Sequence, residues 1–298
     1  MPSLSAFGLA WPGPLDPFYA ASYHGRMDGM HTRTAMLLGP EAIARLASAR
    51  VAVFGLGGVG SYVAEGLART GIGALVLLDD DCISLSNLNR QLPALRSTLG
   101  RVKVEAMAER LLDINPRLEI RTHREFFDAS CASRLLTDDL DYVVDAIDTV
   151  SSKIALVMGC RERGLAIISS MGMGNKLDPT LIRIADINDT IRCPLARVMR
   201  KELRARGVDH LTVAYSQEQP IKPVFFAGGS GAGGNATDAG VDPDDVAPRP
   251  GKKSVPASAI FVPAAAGLII ASRVVRDLCS TPPDAAVPPP VGSGDRRR

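Results

Sequence analysis

Paired cysteines, long apolar runs, aromatic side chains and an excess of either charge are all scarce in this sequence of 298 residues. The five cysteines stand singly, with no C-x-x-C pair, so a four-cysteine zinc site is not expected. Their odd number and the lack of a secretion signal favour a reducing compartment, and we predict a cytoplasmic protein. With a net charge of +2, no global field draws the chain to nucleic acid or to a membrane, so any RNA contact must come from a local patch.

The longest apolar run lies between residues 259 and 272 and contains Pro263. At about 14 residues, it is shorter than the roughly 20 residues that cross a bilayer. We therefore predict a buried helix here and no membrane span.

Three segments are rich in glycine, proline or charged residues and lack apolar periodicity. We predict a flexible N-terminal extension over 1–30, a disordered insert over 228–254 and a disordered tail over 281–298. The remaining residues, 31–227 and 255–280, are predicted to be two parts of one folded domain.

The stretch from Val51 to Arg90 carries the clearest signal. It begins V-A-V-F-G-L-G-G-V-G, an apolar strand that runs into a turn with G-x-G-x-x-G spacing. Such a turn lets backbone N–H groups approach a phosphate, and the helix that follows directs its positive dipole end to the same place. The phosphate-binding residues predicted from this pattern are Gly55, Gly57, Gly58 and Gly60.

A second apolar strand, Ala74 to Leu78, ends in three aspartates. Asp79 lies 19 residues after Gly60, where a nucleotide-binding unit places the carboxylate that binds ribose, and Asp81 lies beside it. The polar residues that follow are Asn87, Arg90 and Lys103. A dehydrogenase needs uncharged space here for its nicotinamide, whereas a triphosphate needs cations and a carboxylate for Mg2+. The pattern therefore favours a triphosphate site.

Residues 50 to 170 alternate strand and helix patterns five times, which is typical of a doubly wound parallel sheet. The predicted fold class is α/β, with a Rossmann-like, mostly parallel sheet, helices on both faces and a C-terminal extension. Within this region, 127–138 is predicted to be helical. A strand ends at Asp145 and leads to Asp148, and a carboxylate at the carboxyl end of a parallel strand lies at the ligand crevice.

A strong helix is predicted from Cys193 to Arg206, with a basic face. Its four cations fall at i, i+3, i+4 and i+7 and therefore share one side: Arg197, Arg200, Lys201 and Arg204. This face is either an ordinary solvated surface or a contact site for RNA phosphates, and the sequence leaves both open.

Four motifs follow one another in a fixed order: G-L-G-G-V-G, L-L-D-D-D-x-x-S-L-S-N-L-N-R-Q, G-R-V-K and D-A-I-D. Together they resemble the ATP-dependent activating enzymes related to ThiF, MoeB and HesA, the bacterial relatives of ubiquitin-activating enzymes. The stretches S-S-M-G-M-G-N-K-L-D-P-T and R-C-P-L-A-R-V-M-R-K-E-L resemble, within that family, the tRNA threonylcarbamoyladenosine dehydratases. The similarity spans residues 31 to 226 and 255 to 279.

The resemblance implies an ATP-dependent dehydration, or cyclisation, of threonylcarbamoyladenosine next to the tRNA anticodon. The threonyl carboxylate would be adenylated, and the neighbouring carbamoyl group would then close a ring and expel AMP. Because ring closure is intramolecular, no enzyme nucleophile is needed. The implied cofactors are ATP and Mg2+, and the implied partners are the modified tRNA, a second subunit in a homodimer and, for some members, sulfur-transfer proteins.

The family pattern also implies roles for residues of the nucleotide unit. The glycines would bind phosphates, and Asp79 with Asp81 would bind the ribose. Asn87, Arg90 and Lys103 would hold the triphosphate and stabilise the charge that develops as pyrophosphate leaves.

Four further residues are interpreted through the same resemblance. Asp148 would ligate Mg2+, whereas Asp145 is interpreted as structural. Arg33 would complete the site, often from the partner subunit. Cys193 lies near the thioester cysteine of some relatives, but a buried, inert thiol is the favoured interpretation.

Other functions remain open at this point. An activator of a ubiquitin-like sulfur-carrier protein would use the same ATP site, although the missing zinc cysteines and the basic helix count against it. An NAD-dependent dehydrogenase is disfavoured by the cations and Asp148. An inactive scaffold that binds tRNA or a partner is disfavoured because every expected ATP ligand is present.

Overall fold

The computed structural model describes residues 29–223 and 256–280. The strands are β1 Arg50–Phe54, β2 Ala74–Leu78, β3 Glu119–His123, β4 Tyr142–Asp145, β5 Ile167–Ser170, β6 Ile182–Asp186 and β7 Thr212–Ser216. The helices are α1 Thr32–Leu38, α2 Pro40–Ser48, α3 Gly60–Thr70, α4 Lys103–Ile114, α5 Ala132–Leu135, α6 Val150–Arg163, α7 Pro194–Arg204 and α8 Phe261–Cys279.

The strands form one seven-stranded sheet in the order β3-β2-β1-β4-β5-β7-β6. All neighbours are parallel except β6, which pairs antiparallel with β7 at the edge. Because the chain moves outward from β1 to β3 and then returns to the other side of β1, the strand order reverses between β1 and β4. Ligands of doubly wound sheets bind in the crevice at such a switch point. The predicted fold class is confirmed.

Strand β1 shows how the sheet is buried on both faces. Val51 and Val53 lie in the apolar layer beneath α3, α4 and α8, whereas Ala52 and Phe54 lie in the opposite layer with residues of α5 and α6. The alternation follows the two-residue period of a strand. A central strand of this kind holds its carboxyl end, where the glycine turn begins, in a rigid position.

The glycine turn between β1 and α3 depends on close backbone approach. Gly55 has a φ of 90°, and its N–H donates to the Leu78 carbonyl at 2.7 Å. A Cβ added to Gly60 would lie 1.8 Å from the Gly55 carbonyl oxygen. Only glycine fits at this point, so the turn is specified by its sequence.

The C-terminal helix α8 lies across the start of α3. A Cβ on Gly267 would come within 2.6 Å of the Val59 carbonyl oxygen and of Tyr62 Cβ, and one on Gly66 would lie 2.9 Å from Ala271 Cβ. The two helices therefore approach through small residues. This contact ties the end of the described chain to the helix that follows the glycine turn.

The helix predicted over 127–138 is wrong, since α5 is confined to Ala132–Leu135. Upstream of it, the Asp128 carboxylate accepts from the backbone N–H and the hydroxyl of Ser130 at 2.8 and 2.6 Å. An aspartate that binds its own backbone two residues on favours a turn over a helix. Phe127 is buried against Phe54, with ring centroids 5.0 Å apart.

The predicted N-terminal extension, insert and tail lie almost entirely outside the described residues. Within residues 29–223 and 256–280, no helix has both the length and the apolar character that crossing a bilayer requires.

Candidate functional site

A cavity of about 740 Å3 opens at the carboxyl ends of the parallel strands. Its wall is formed by the glycine turn after β1, the aspartates after β2, the loop after β4 and the segment after β5. Most of the predicted nucleotide ligands line it: Gly55, Gly57, Gly58, Asp79, Asp81, Asn87, Arg90, Lys103 and Asp148. Gly60, the first residue of α3, is not among the residues that line the cavity.

The glycine turn presents an open surface to this cavity. A Cβ on Gly57 would meet nothing closer than the Gln91 Nε2 atom at 3.9 Å, so the peptide there borders free space. Gly58 is more confined, with Pro263 Cβ at 3.2 Å and Arg90 Cγ at 3.4 Å from an added Cβ. An open peptide at the start of a helix is the geometry that binds phosphate through backbone N–H groups.

Behind the turn, Lys103 is buried between two carboxylates. Its Nζ donates to Asp81 Oδ2 at 2.8 Å and lies 3.6 Å from Asp79 Oδ1. Asp79 also accepts from the Leu56 N–H at 2.7 Å, which attaches the carboxylate to the glycine turn. Burial raises the pKa of Asp79, and the Lys103 ammonium and two backbone N–H donors act against this shift. The acid and the cation are thus held in place before any ligand binds.

Asn87 and Arg90 are fixed by the short turn Leu85–Asn87. The buried Asn87 side chain accepts from the Ser84 N–H at 3.3 Å. The Arg90 guanidinium donates to the Ser86 carbonyl at 2.9 Å and to Asn89 Oδ1 at 2.8 Å. Arg90 is therefore placed beside the glycine turn, where its cation faces the same cavity as Lys103.

The loop after β4 presents Asp148 and is held from beneath by a buried ion pair. Lys153 Nζ lies 2.9 Å from Asp145 Oδ2 and donates to the Ile147 carbonyl at 3.0 Å, and both charged side chains are fully buried. Ser169 donates to the same Asp145 oxygen at 2.5 Å. Asp145 is therefore structural here, as interpreted from the sequence, while Asp148 is exposed and its carboxylate accepts from the Thr149 hydroxyl at 3.3 Å.

Arg33 is not brought to this cavity by its own chain. It lies on α1, where its side chain is exposed, and it is not among the residues that line the cavity. Its neighbours Met36 and Leu37 are 80% and 82% exposed. The proposed role of Arg33 thus requires a second subunit.

The four predicted RNA-binding residues of α7 lie outside the cavity and differ from one another. Arg197 and Lys201 are exposed. Arg200 is half-buried and donates to the carbonyl oxygens of Ile187 and Thr190 at 3.0 and 3.1 Å, whereas Arg204 donates to Asn188 Oδ1 at 2.6 Å. Two of the three guanidinium groups are thus used to hold the turn after β6.

Three buried polar residues near the cavity were not predicted from the sequence. Lys153 supports the Asp148 loop, as described above. Gln91 lines the cavity beside the glycine turn. Lys176 lines its other end, after β5. Gln91 and Lys176 stand within the quoted motifs, and Lys153 follows Asp148 by five positions. Nothing in a single sequence separates a buried lysine or glutamine from a solvated one.

The family model described as the ThiF family matches residues 31–288, which is most of the chain. The chain belongs to the ThiF family. The resemblance inferred from the four motifs is therefore confirmed.

Within the ThiF family, the chain is more similar to tRNA threonylcarbamoyladenosine dehydratases than to an activator of another class. The chain is 41% identical over 248 residues to the tRNA threonylcarbamoyladenosine dehydratase of Bacillus subtilis, covering 83% of this chain and 93% of that protein. It is also 41% identical over 172 residues to the Escherichia coli dehydratase of the same name. The molybdopterin-synthase adenylyltransferase of Escherichia coli is 33% identical over 148 residues, which is half of the chain.

A solved structure gives the same result. The Escherichia coli dehydratase TcdA in complex with ATP superimposes with a TM-score of 0.70 and 32% identity, covering 84% of this chain and 93% of that one. A complex of the same enzyme with AMP has the same TM-score. ATP binding by this branch of the ThiF family fits the predicted triphosphate site.

Proposed function

We propose that this protein is an ATP-dependent enzyme that adenylates the threonyl carboxylate of threonylcarbamoyladenosine in tRNA, so that ring closure can remove a water. The observation that carries the proposal is the juxtaposition, in one cavity, of an open glycine turn with two cations, Lys103 and Arg90. We infer the substrate from the two relatives named tRNA threonylcarbamoyladenosine dehydratase.

The first step transfers AMP to the acid. A carboxylate oxygen attacks the α-phosphorus of ATP, and the bond to pyrophosphate breaks. The peptide N–H groups of Gly57 and Gly58 bind phosphate oxygens, and Asp79 accepts from the ribose. Lys103 and Arg90 stabilise the negative charge that develops on the departing pyrophosphate. Preorganised cations stabilise such charge more strongly in a site with little water than in bulk solvent.

The second step needs no nucleophile from the protein. The carbamoyl group of the same modified base attacks the activated carbonyl carbon, loses a proton and expels AMP, which keeps the carboxylate oxygen. Since the reacting groups belong to one molecule, the enzyme need only hold them close. Cys193 is a buried residue of the cavity wall, and the proposed step uses no thioester on it.

Asp148 fits a role as ligand of Mg2+. Its carboxylate offers the oxygen donor that Mg2+ prefers, and it lines the cavity on a loop fixed by the Asp145–Lys153 pair. Asp79, Asp80 and Asp81 form a group of close carboxylates, but the Lys103 ammonium already lies 3.6 Å from Asp79 and 2.8 Å from Asp81. Bound at Asp148, Mg2+ would neutralise phosphate charge.

A homodimer would supply the remaining cation. Arg33 is exposed next to the large apolar side chains of Met36 and Leu37, and such a surface suits burial against a second copy. In that arrangement Arg33 would reach the site of its partner. The exposed Arg197 and Lys201 would contact tRNA phosphates. A cytoplasmic location and contact with sulfur-transfer proteins are further parts of the proposal.

Transfer of labelled oxygen tests the adenylation. The tRNA substrate is prepared with heavy oxygen in the threonyl carboxylate and is incubated with enzyme and ATP. We expect one labelled oxygen in AMP and none in pyrophosphate. Label in phosphate or pyrophosphate would refute adenylation, and AMP without label would show hydrolysis of ATP that is independent of the acid.

A further inference from the structure

Lys176 is a buried lysine at the end of the cavity away from the glycine turn. It follows β5, which lies two strand spacings from β1, or roughly 10 Å across the sheet. The side chain is only 5% exposed and lines the cavity. Its Nζ donates to the carbonyl oxygens of Gly172 at 2.8 Å and Ser216 at 3.2 Å.

The loop that carries Lys176 is held rigidly. Asn175 has a φ of 60°, and its N–H donates to the Ala257 carbonyl at 2.7 Å. The Asn175 side-chain oxygen accepts from the Ala257 N–H at 2.8 Å, and its carbonyl accepts from the Ile221 N–H at 2.7 Å. The position of Lys176 is thus set by contacts with two distant parts of the chain.

Among the described residues, three lysines are buried, and Lys176 differs from the other two. Lys103 and Lys153 each lie within 2.9 Å of a carboxylate oxygen. No carboxylate in the described part of the chain lies within ion-pairing distance of Lys176, whose two partners are both neutral carbonyls. The structure therefore places one buried ammonium group against the cavity without an anion.

The groups that face Lys176 do not supply an anionic partner for its ammonium group. Glu218 accepts instead from the N–H groups of Leu177 and Asp178, at 3.0 and 2.9 Å, and Cys193 presents a buried thiol. Burial lowers the pKa of Lys176, with Cys193 and Glu218 acting against the shift. A buried cation of this kind gains most from a ligand that brings a negative charge.

We propose that Lys176 binds the carboxylate of the acid that is to be adenylated. This inference rests on the proposed function and adds the residue that recognises the acceptor. The glycine turn, Lys103 and Arg90 take the phosphates at one end of the cavity, while Lys176 takes the carboxylate at the other. An alternative anion, a tRNA backbone phosphate, is separated from the carboxylate by the experiment below.

The test compares binding of two tRNAs that differ only in the modification. Full-length enzyme is titrated with tRNA that carries threonylcarbamoyladenosine and with the same tRNA lacking it, in the presence of an ATP analogue that cannot be cleaved between its α- and β-phosphates. We expect Lys176→Gln to weaken binding of the modified tRNA about tenfold or more, since a charge-assisted hydrogen bond is lost. Binding of the unmodified tRNA and of ATP should change less than about twofold.

Two further variants separate charge from structure. Lys176→Arg keeps the charge and should retain most of the preference for modified tRNA. Lys222→Met removes an exposed lysine that does not line the cavity and should change nothing. If Lys176→Gln keeps the wild-type preference, or loses affinity for both tRNAs equally, the inference is wrong. If the wild-type enzyme neither prefers nor dehydrates modified tRNA, the proposed function itself fails.

Discussion

Lys103 sits where three properties of one side chain are used at once: its charge, its burial and its place at the first turn of α4. The Asp81 and Asp79 carboxylates fix it at 2.8 and 3.6 Å, and its backbone N–H donates to the Asp81 carbonyl at 3.1 Å. The cation is therefore preorganised, with little reorganisation left for the reaction step.

Removing this cation should abolish the first half-reaction. We expect Lys103→Ala to lower tRNA-dependent ATP–pyrophosphate exchange by roughly 100-fold or more, because charge on the leaving pyrophosphate loses its partner. Arg90→Ala should act in the same direction. Arg101→Ala serves as the control, since Arg101 pairs with Glu109 and neither residue lines the cavity. This variant should catalyse ATP–pyrophosphate exchange at the normal rate. Near-normal exchange in both Lys103→Ala and Arg90→Ala would reject the assignment.

Much of the nucleotide end could be predicted because its ligands are local in sequence. Gly57, Asp79 and Lys103 each belong to a motif whose spacing reflects one strand, turn or helix. Lys176 and Arg200 were not predictable in the same way, since their environments are made by β7 and by the turn after β6, which are distant or irregular. A single sequence gives the residue type but not the carbonyl groups it will meet.

At the scale of elements, the contact between α3 and α8 supports the glycine turn. Gly267→Ala should lower the free energy of unfolding by about 1–3 kcal/mol, because the new methyl group would overlap the Val59 carbonyl and Tyr62. Chemical denaturation measures the effect. Ser272→Ala, at an exposed position on the same helix, should change stability by less than about 0.5 kcal/mol. Equal stability of the two variants would contradict the close approach.

The pairing of α3 with α4 should depend on pH through Glu65. Burial raises its pKa, but hydrogen bonds from Arg110 and Arg69 outweigh burial and leave the pKa below its ordinary value of 4.5. The folded protein thus favours the charged form more than the unfolded chain does. This contribution is complete above pH 4.5 and is lost as pH falls through the lower folded-state pKa.

Glu65→Gln tests this dependence. The variant should melt at a lower temperature than wild type at neutral pH, and the difference should shrink as pH drops below the ordinary carboxylate range. Glu41→Gln, on α2, serves as a matched control for loss of one exposed carboxylate. A melting difference that stays constant down to acid pH would show that packing, rather than the charge of Glu65, stabilises the two helices.

The elements themselves followed from hydrophobic periodicity, except where side-chain hydrogen bonds compete. Strand β2 has the predicted bounds, and the helix predicted from Cys193 to Arg206 is observed as α7, Pro194–Arg204. The helix predicted around Asp128 does not form because the Asp128 carboxylate accepts a hydrogen bond from the backbone N–H of Ser130. Such a local side-chain hydrogen bond stabilises a turn and competes with the helix that the apolar spacing predicts.

At the scale of the whole molecule, tRNA contact by α7 is the prediction furthest from the cavity. Lys201→Glu combined with Arg197→Glu should weaken tRNA binding and leave the ATP affinity intact. The slope of log affinity against log salt concentration should fall by the equivalent of up to about two phosphate contacts. Arg200 is excluded from the variant because it holds the turn after β6. The control variant carries Arg96→Glu and Arg117→Glu, at two exposed positions outside α7, and has the same change in net charge. It should bind tRNA more tightly than the α7 variant. Equal losses would show a nonspecific charge effect.

The most direct test of the account is mass spectrometry of tRNA nucleosides after incubation with the enzyme, ATP and Mg2+. We expect threonylcarbamoyladenosine to disappear and a nucleoside lighter by one water to replace it, only when ATP is present. Unchanged threonylcarbamoyladenosine, with a wild-type enzyme that is folded and binds ATP, would contradict the central claim.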